Sequence, residues 1–327
     1  IRDTKDMLMA GKTLPGVYGA SSPRMNVADL RTKGWEASVT WGDSFTLASK
    51  PFNYRIMAGI GDNTSKVTKY DNPNRTLTDP YEGQQLGEIW GYVVDGYFKT
   101  DEEARNYKVD QSFVNQMINA SALDNGLHAG DLKFVDLDGN NKIEQTTSAN
   151  DRKDMKVIGN SLPRYNYNFG ISADWYGIDF SVLFQGIGKQ NWYPGAETSM
   201  FWGPYSRPYA SFIPSDFMSQ VWSEENTNAY FPRPRGYVAL GSNRELAVVN
   251  TKYLQNLAYC RLKNLSIGYT LPDKWLSKIG FEKIRVYFSG ENLLTFTKLH
   301  SDYIDPEQAS ALSLIHISEP TRPISIS

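Results

Sequence analysis

Four oxygen-bearing side chains crowd one short segment, DLDGNNKIE, where Asp136, Asp138, Asn140 and Glu144 occupy positions 1, 3, 5 and 9 of a calcium-loop spacing. Closely spaced oxygens of this kind can wrap a hard cation such as Ca2+. Position 6 is Asn141 in place of glycine, and position 12 is Thr147, which offers no bidentate carboxylate. The segment therefore reads either as a calcium site or as an Asx-rich turn with no metal. A second group is aromatic: Trp192, Tyr193, Phe201, Trp202, Tyr205, Tyr209, Phe212 and Trp222 lie among Pro, Gly and Ser. Exposed rings could stack on sugars or meet a protein, which makes Trp192, Tyr193, Trp202 and Tyr205 candidate ligand or partner contacts. The bland reading packs them inside their own loop.

Catalytic constellations are missing, and the chain is not expected to be an enzyme. His128, His300 and His316 are isolated, and neither HExxH nor GxSxG occurs. Gly11-Lys12-Thr13 lacks the upstream glycine of a phosphate loop, and Glu102-Glu103 and Glu224-Glu225 read as solvated faces. One cysteine, Cys260, excludes an internal disulfide and a CxxC metal site. The formal charge of -2 over 327 residues gives no sign of a nucleic-acid partner.

The elements that must position these residues are strands. From Arg164, Tyr165, Tyr167, Phe169, Ile171, Ala173 and Trp175 alternate with Asn166, Asn168, Gly170, Ser172 and Asp174. After Tyr176-Gly177 the period of two restarts with Ile178, Phe180, Val182 and Phe184, so the stretch predicts a long β-hairpin. Trp35, Ala37, Val39 and Trp41 with Phe52, Tyr54, Ile56, Ala58 and Ile60 predict a second, and Leu265, Ile267, Tyr269 and Leu271 with Ile284, Val286 and Phe288 a third. Aromatics reach 13% while the mean hydropathy is -0.47. A polar average with an aromatic, alternating face suits a membrane barrel whose lumen and loops are hydrophilic. No apolar run approaches the roughly 18 residues of a transmembrane helix. Three short connections alternate with long ones, so the long blocks at 63–163 and 187–250 are expected to project from one rim as extracellular loops. A helix is expected from Thr100 to Leu123.

The order of segments resembles the C-terminal part of the SusC/RagA family of TonB-dependent outer-membrane transporters of Bacteroidetes. The residues that carry it are LRTKGWEASVTW (30–41), EGQQLGEIWGYVVDGYF (82–98), GDLKFVDLDGN (130–140), VIGNSLPRYNYNFGISADWYGIDFSVLFQG (157–186), RLKNLSIGYTLP (261–272) and RVYFSGENLLTFTK (285–298). The resemblance implies an all-β fold: an antiparallel transmembrane β-barrel, of which 1–311 would be the C-terminal portion of 22 strands. It implies an outer-membrane location, uptake of glycan or peptide, a SusD-like surface lipoprotein as partner, and TonB engaged through a segment this sequence does not include. By the same resemblance Asp151 stands as a fifth calcium-loop residue. Residues 312–327, LSLIHISEPTRPISIS, instead resemble a translated sequencing adapter and are expected to be a non-native tail. The rival reading is a secreted all-β glycan-binding module; a β-sandwich hydrolase ranks third.

Overall fold

In a computed structural model of the chain, residues 1–10, 17, 19, 23–114, 126–206, 212–234, 236–276 and 280–309 are described. The strands in chain order are β1 (Arg2–Ala10), β2 (Arg24–Leu47), β3 (Lys50–Lys69), β4 (Glu88–Tyr92), β5 (Val94–Tyr97), β6 (Leu132–Phe134), β7 (Met155–Asn160), β8 (Arg164–Trp175), β9 (Ile178–Lys189), β10 (Asn191–Trp192), β11 (Gln255–Asn256), β12 (Tyr259–Thr270) and β13 (Arg285–Thr297). Seven of them form one antiparallel sheet in the order β1-β2-β3-β8-β9-β12-β13. The remaining strands make two-stranded pairs inside the long connections.

Turn chemistry sets the register of two hairpins. Ala48 and Ser49 have φ of 51° and 62°, and Tyr176 and Gly177 have 50° and 85°. Two consecutive positive φ values give the tight turn whose twist matches the flanking strands. The third connection is longer: Pro272 is followed by one helical turn, Asp273–Leu276.

Because side chains alternate, this register gathers most apolar residues of the wall strands on one face, with Met57, Leu183 and Tyr287 among those on the other. Val39, Ala58, Phe169, Phe184, Leu262 and Leu294 lie opposite one another in one row across six strands. Phe45, Phe52, Trp175, Ile178, Tyr269 and Val286 form another. The opposite face carries Arg55, Ser172, Ser181, Ser266 and Ser289 in a matching row. The apolar face is uncovered: Val39 and Trp41 are each 62% exposed and Phe296 is 61% exposed. From Trp35 to Leu47 the band runs about 40 Å along the strand at roughly 3.3 Å per residue. A tilt of about 40° reduces that to about 30 Å, the thickness of a bilayer's hydrocarbon core.

Strands β2 and β3 outrun the apolar band. β3 continues to Lys69 and β9 to Lys189, so the excursions begin at 70 and 190, beyond the boundaries of 63 and 187 drawn from the alternation. At the end of β3 the extension follows from what lies there: Ala28, Val67 and Tyr70 form a small core with Met7, Met9 and Leu86, which replaces the one-faced pattern. Between 100 and 123 the described residues contain only Asp101–Arg105 as helix, capped by Thr100, whose side chain accepts from the Glu103 N–H. The tail at 312–327 lies outside the described residues.

On the apolar face Tyr167 lies over Gly186 and its hydroxyl donates to the Tyr259 carbonyl at 2.9 Å. A Cβ at Gly186 would stand 2.1 Å from that carbonyl and 2.4 Å from the Tyr167 hydroxyl. Gly186→Val is therefore expected to displace strand or ring at a cost of about 1–3 kcal/mol. A lowered urea midpoint of the detergent-solubilised protein checks this, and an unchanged midpoint would show that Tyr167 swings aside freely.

Candidate functional site

The two long connections fold together into a layer over one end of the sheet. Its core draws on both, with Tyr97, Leu132, Phe134 and Ile143 from the first and Phe201, Trp202, Phe231 and Tyr253 from the second. The carboxylate segment is built into this layer by its flanks. Phe134 ends β6 inside the core, and Ile143 is buried nine residues later, so the intervening loop must turn back on itself. Gly139 and Asn141, at φ of 77° and 62°, make that reversal.

Within it Asp136 accepts from the Gly139 and Asn141 N–H groups, both at 2.7 Å, and Asp138 accepts from the Asn140 N–H at 3.1 Å. The third member comes from further along. Asp154, wholly buried, accepts from the N–H groups of Leu137 at 2.9 Å and Glu144 at 2.7 Å. One oxygen from each of Asp136, Asp138 and Asp154 lies within 4.8 Å of the others. Two oxygens on opposite sides of a calcium ion are separated by about 5 Å, so the trio has the spacing of a partial coordination shell.

Electrostatics divides the three. Burial opposes ionisation of Asp136, but the Asn141 and Gly139 N–H groups outweigh it and hold that carboxyl below its ordinary value. Burial pushes Asp154 above its ordinary value; the Glu144 and Leu137 N–H groups oppose this, and the charges of Asp138 and Asp136 add to it. A cation would relieve that repulsion.

Of the five carboxylate and amide residues singled out from sequence, the structure brings Asp136 and Asp138 together. Asn140 directs its amide nitrogen to Asp138 and Glu144, at 3.1 and 3.2 Å. Glu144 faces Lys153 at 3.4 Å and Lys142 at 3.9 Å. Asp151 is exposed in a turn with Ser148 and stands apart from the trio. Asp154 was missed. Its signal was position, immediately before the strand Met155–Asn160, where the chain re-enters the layer.

The candidate contact aromatics have a different environment from the one that ligand binding needs. Trp202 and Tyr205 are fully buried; Trp202 donates to the Gly195 carbonyl at 3.0 Å and Tyr205 to the Pro232 carbonyl at 2.6 Å. Tyr193 donates to the Leu246 carbonyl at 2.8 Å and accepts from the Asn250 amide at 2.8 Å. Trp192, half-buried, sits in the β10–β11 pair. All four hold the layer together. Its exposed apolar side chains are others: Phe212, Ile213, Met218, Tyr237 and Tyr303, with the Phe212 and Tyr303 rings 4.8 Å apart.

No protein-family model matches the chain. It is similar to three curated proteins of Formosa agariphila: TonB-dependent receptor P3, at 28% identity over 319 residues, P39 at 26% over 322, and P26 at 24% over 319. These matches cover 90–94% of this chain but only 28–29% of each relative. The chain thus spans less than a third of the length of the curated relatives it matches. Its fold resembles the RagAB peptide importer in the open-open state, with a TM-score of 0.61, 20% identity and coverage of 93% of this chain and 29% of the other. The closed-closed state matches with a TM-score of 0.59 and 21% identity.

Two substitutions test the carboxylate trio. Since the folded pKa of Asp154 is raised, the native layer holds its proton more tightly than the unfolded chain does, and stability falls as pH rises through that window. Asp154→Asn is expected to abolish this slope, read as protease resistance of 130–160 between about pH 4 and pH 7. Asp154→Ala leaves two N–H groups without acceptors and is expected to cost about 2–3 kcal/mol of layer stability. Equal resistance of wild type and both variants across that range would contradict the account.

Proposed function

Taking the chain as a stretch of a TonB-dependent receptor of the SusC/RagA type, we propose that it builds part of the wall and the outer loop layer of an outer-membrane transporter. The observation that carries this is the uncovered apolar face, continuous across strands β2, β3, β8, β9, β12 and β13, backed by a polar face that carries Ser172, Ser181, Ser266, Asn168 and Gln185 with the charged Arg55, Asp179 and Arg285. The apolar face meets lipid. The polar face lines the lumen. A secreted glycan-binding module would have to expose the same band to water, at a cost of roughly 25 cal/mol per Å2.

Among the described residues β1 and β13 each pair on one side only. An open sheet edge is not tolerated in hydrocarbon, so further strands of the full-length protein close the wall. The short turns at 48–49 and 176–177 then face the periplasm, and the layer built from 70–163 and 190–258 faces outward. Transport through such a barrel is ligand passage past a gate, driven by TonB through another part of the protein. The cargo is a large nutrient of the glycan or peptide class, delivered with a SusD-like surface lipoprotein over the outer layer. The RagAB peptide importer gives the peptide alternative a structural precedent.

Calcium belongs to the same reading. Asp136, Asp138 and Asp154 would hold it and so brace the layer, a structural role outside the transport step. Titrating the full-length protein with calcium should release heat in the wild type and none in Asp154→Asn; silence in both would remove the site.

For the transporter itself, fractionation of cells expressing the full-length protein is expected to place it in the outer membrane, soluble only with detergent. Deleting the gene is expected to abolish growth on one glycan or peptide source. Recovery in the soluble fraction without detergent would defeat the reading.

A further inference from the structure

The segment that follows β13 does two things at once. On one side Leu299, Ile304 and Ala309 are buried in the core of the outer layer. Ser301 donates to the Met200 carbonyl at 3.0 Å, the His300 N–H donates to the Gln255 side chain at 3.2 Å, and the His300 ring stacks on Tyr230. On the other side the segment turns back onto the polar face of the sheet. Tyr259 and Arg261 lie on that face, in the rows of Ile187 and Gln185. Arg261, with its side chain 7% exposed, reaches Asp305 at 2.6 Å and Glu307 at 2.8 Å, and its Nε donates to Thr295 at 2.9 Å. Lys263 meets Glu307 at 2.8 Å, and the Tyr259 hydroxyl donates to the same carboxylate at 2.7 Å. Two cations and two anions balance.

The row of Arg261 on this face holds Asn168, Gln185 and Thr295, none of them charged, and a buried guanidinium is tolerated there only because its partners are in place. Burial opposes ionisation of Glu307, but Lys263, Tyr259 and Arg261 outweigh it and hold its carboxyl below the ordinary value. The chain itself crosses from wall to layer at 70, 163, 190, 258 and 298. The contact between 305–307 and β12 adds a non-covalent tie on the face away from lipid.

We propose that residues 299–309 are a strap, latched by Asp305 and Glu307 to Arg261 and Lys263 on the inner wall, that holds the outer layer in position over the barrel mouth and frees it when the latch opens. Placement of the latch on the inside of the wall rests on the barrel reading above; the latch itself does not. Hydrogen exchange of the full-length protein in detergent tests it. Arg261→Leu is expected to speed exchange of amides in 299–309 by about tenfold or more, with 199–206 and 217–222 following, while β8 and β9 keep wild-type protection.

The isosteric pair Asp305→Asn with Glu307→Gln should act in the same direction and guards against a variant that does not fold. Unchanged protection of 299–309 in both variants would overturn the proposal, as would loss of protection spread equally over strap, β8 and β9 in both. Rapid exchange of β8 and β9 in the wild-type protein would instead overturn the barrel reading.

Discussion

Everything in this chain depends on pairing register. Hydrocarbon offers no partner to a peptide group, so a wall must satisfy its N–H and C=O groups strand to strand, and the side-chain period of two then assigns each residue to lipid or to lumen. A slip of one residue would turn the Val39–Ala58–Phe169–Phe184 row inward and put its polar neighbours in lipid. The structure pins register in several ways. The paired positive-φ turns fix two hairpins, and Tyr167 caps the gap over Gly186. On the polar face Arg285 reaches across Gly268 to Asp179, at 2.9 and 2.5 Å, tying β13 to β9 over the strand between them.

Outside the band the physics changes. The layer is an ordinary water-facing domain core, aromatic and dense, and many of its buried polar groups are paired within it. Tyr97 and Tyr253 share a hydroxyl contact at 2.8 Å, and Gln111 spans both the Leu132 carbonyl and the Phe134 N–H. Asp62 marks the border: buried within β3 where its pairing with β8 stops, it accepts from Nε and Nη2 of Arg164, each at 2.5 Å. Beside it Tyr165 takes a φ of 55° and interrupts the pairing of β8 with β9. The wall thus ends in a charged, irregular collar from which the layer rises.

This division explains what could be read from residues alone. The hairpins were legible because a sheet with one apolar and one polar face enforces alternation: Tyr167 to Trp175 and Ile178 to Phe184 show it with hardly an exception. Strand ends were not, since Asn63 to Lys69 pairs as strand where no bilayer imposes a pattern. Aromatic content marked 192–222 as special but could not say which way the rings point; Trp202 and Tyr205 went to the core because their polar atoms found carbonyl partners there. The carboxylate loop was half legible. Asp136 and Asp138 are neighbours in sequence, whereas Asp154 joins them through a fold-back anchored by Ile143, and Asp151, closer in sequence, is not one of the three. The strap was invisible, because DPE at 305–307 gains meaning only when Arg261, more than forty residues earlier, is brought beside it.

The central claim, that one face of this sheet meets lipid and the other the lumen, is tested most directly by spin-label accessibility along β8. In full-length protein with Cys260 replaced, single cysteines placed from 166 to 173 would be labelled and the protein reconstituted in vesicles. Labels at 167, 169, 171 and 173 should be quenched by oxygen dissolved in lipid, and those at 166, 168, 170 and 172 should be shielded from it. Loss of the period of two, or the opposite phase, would contradict the account.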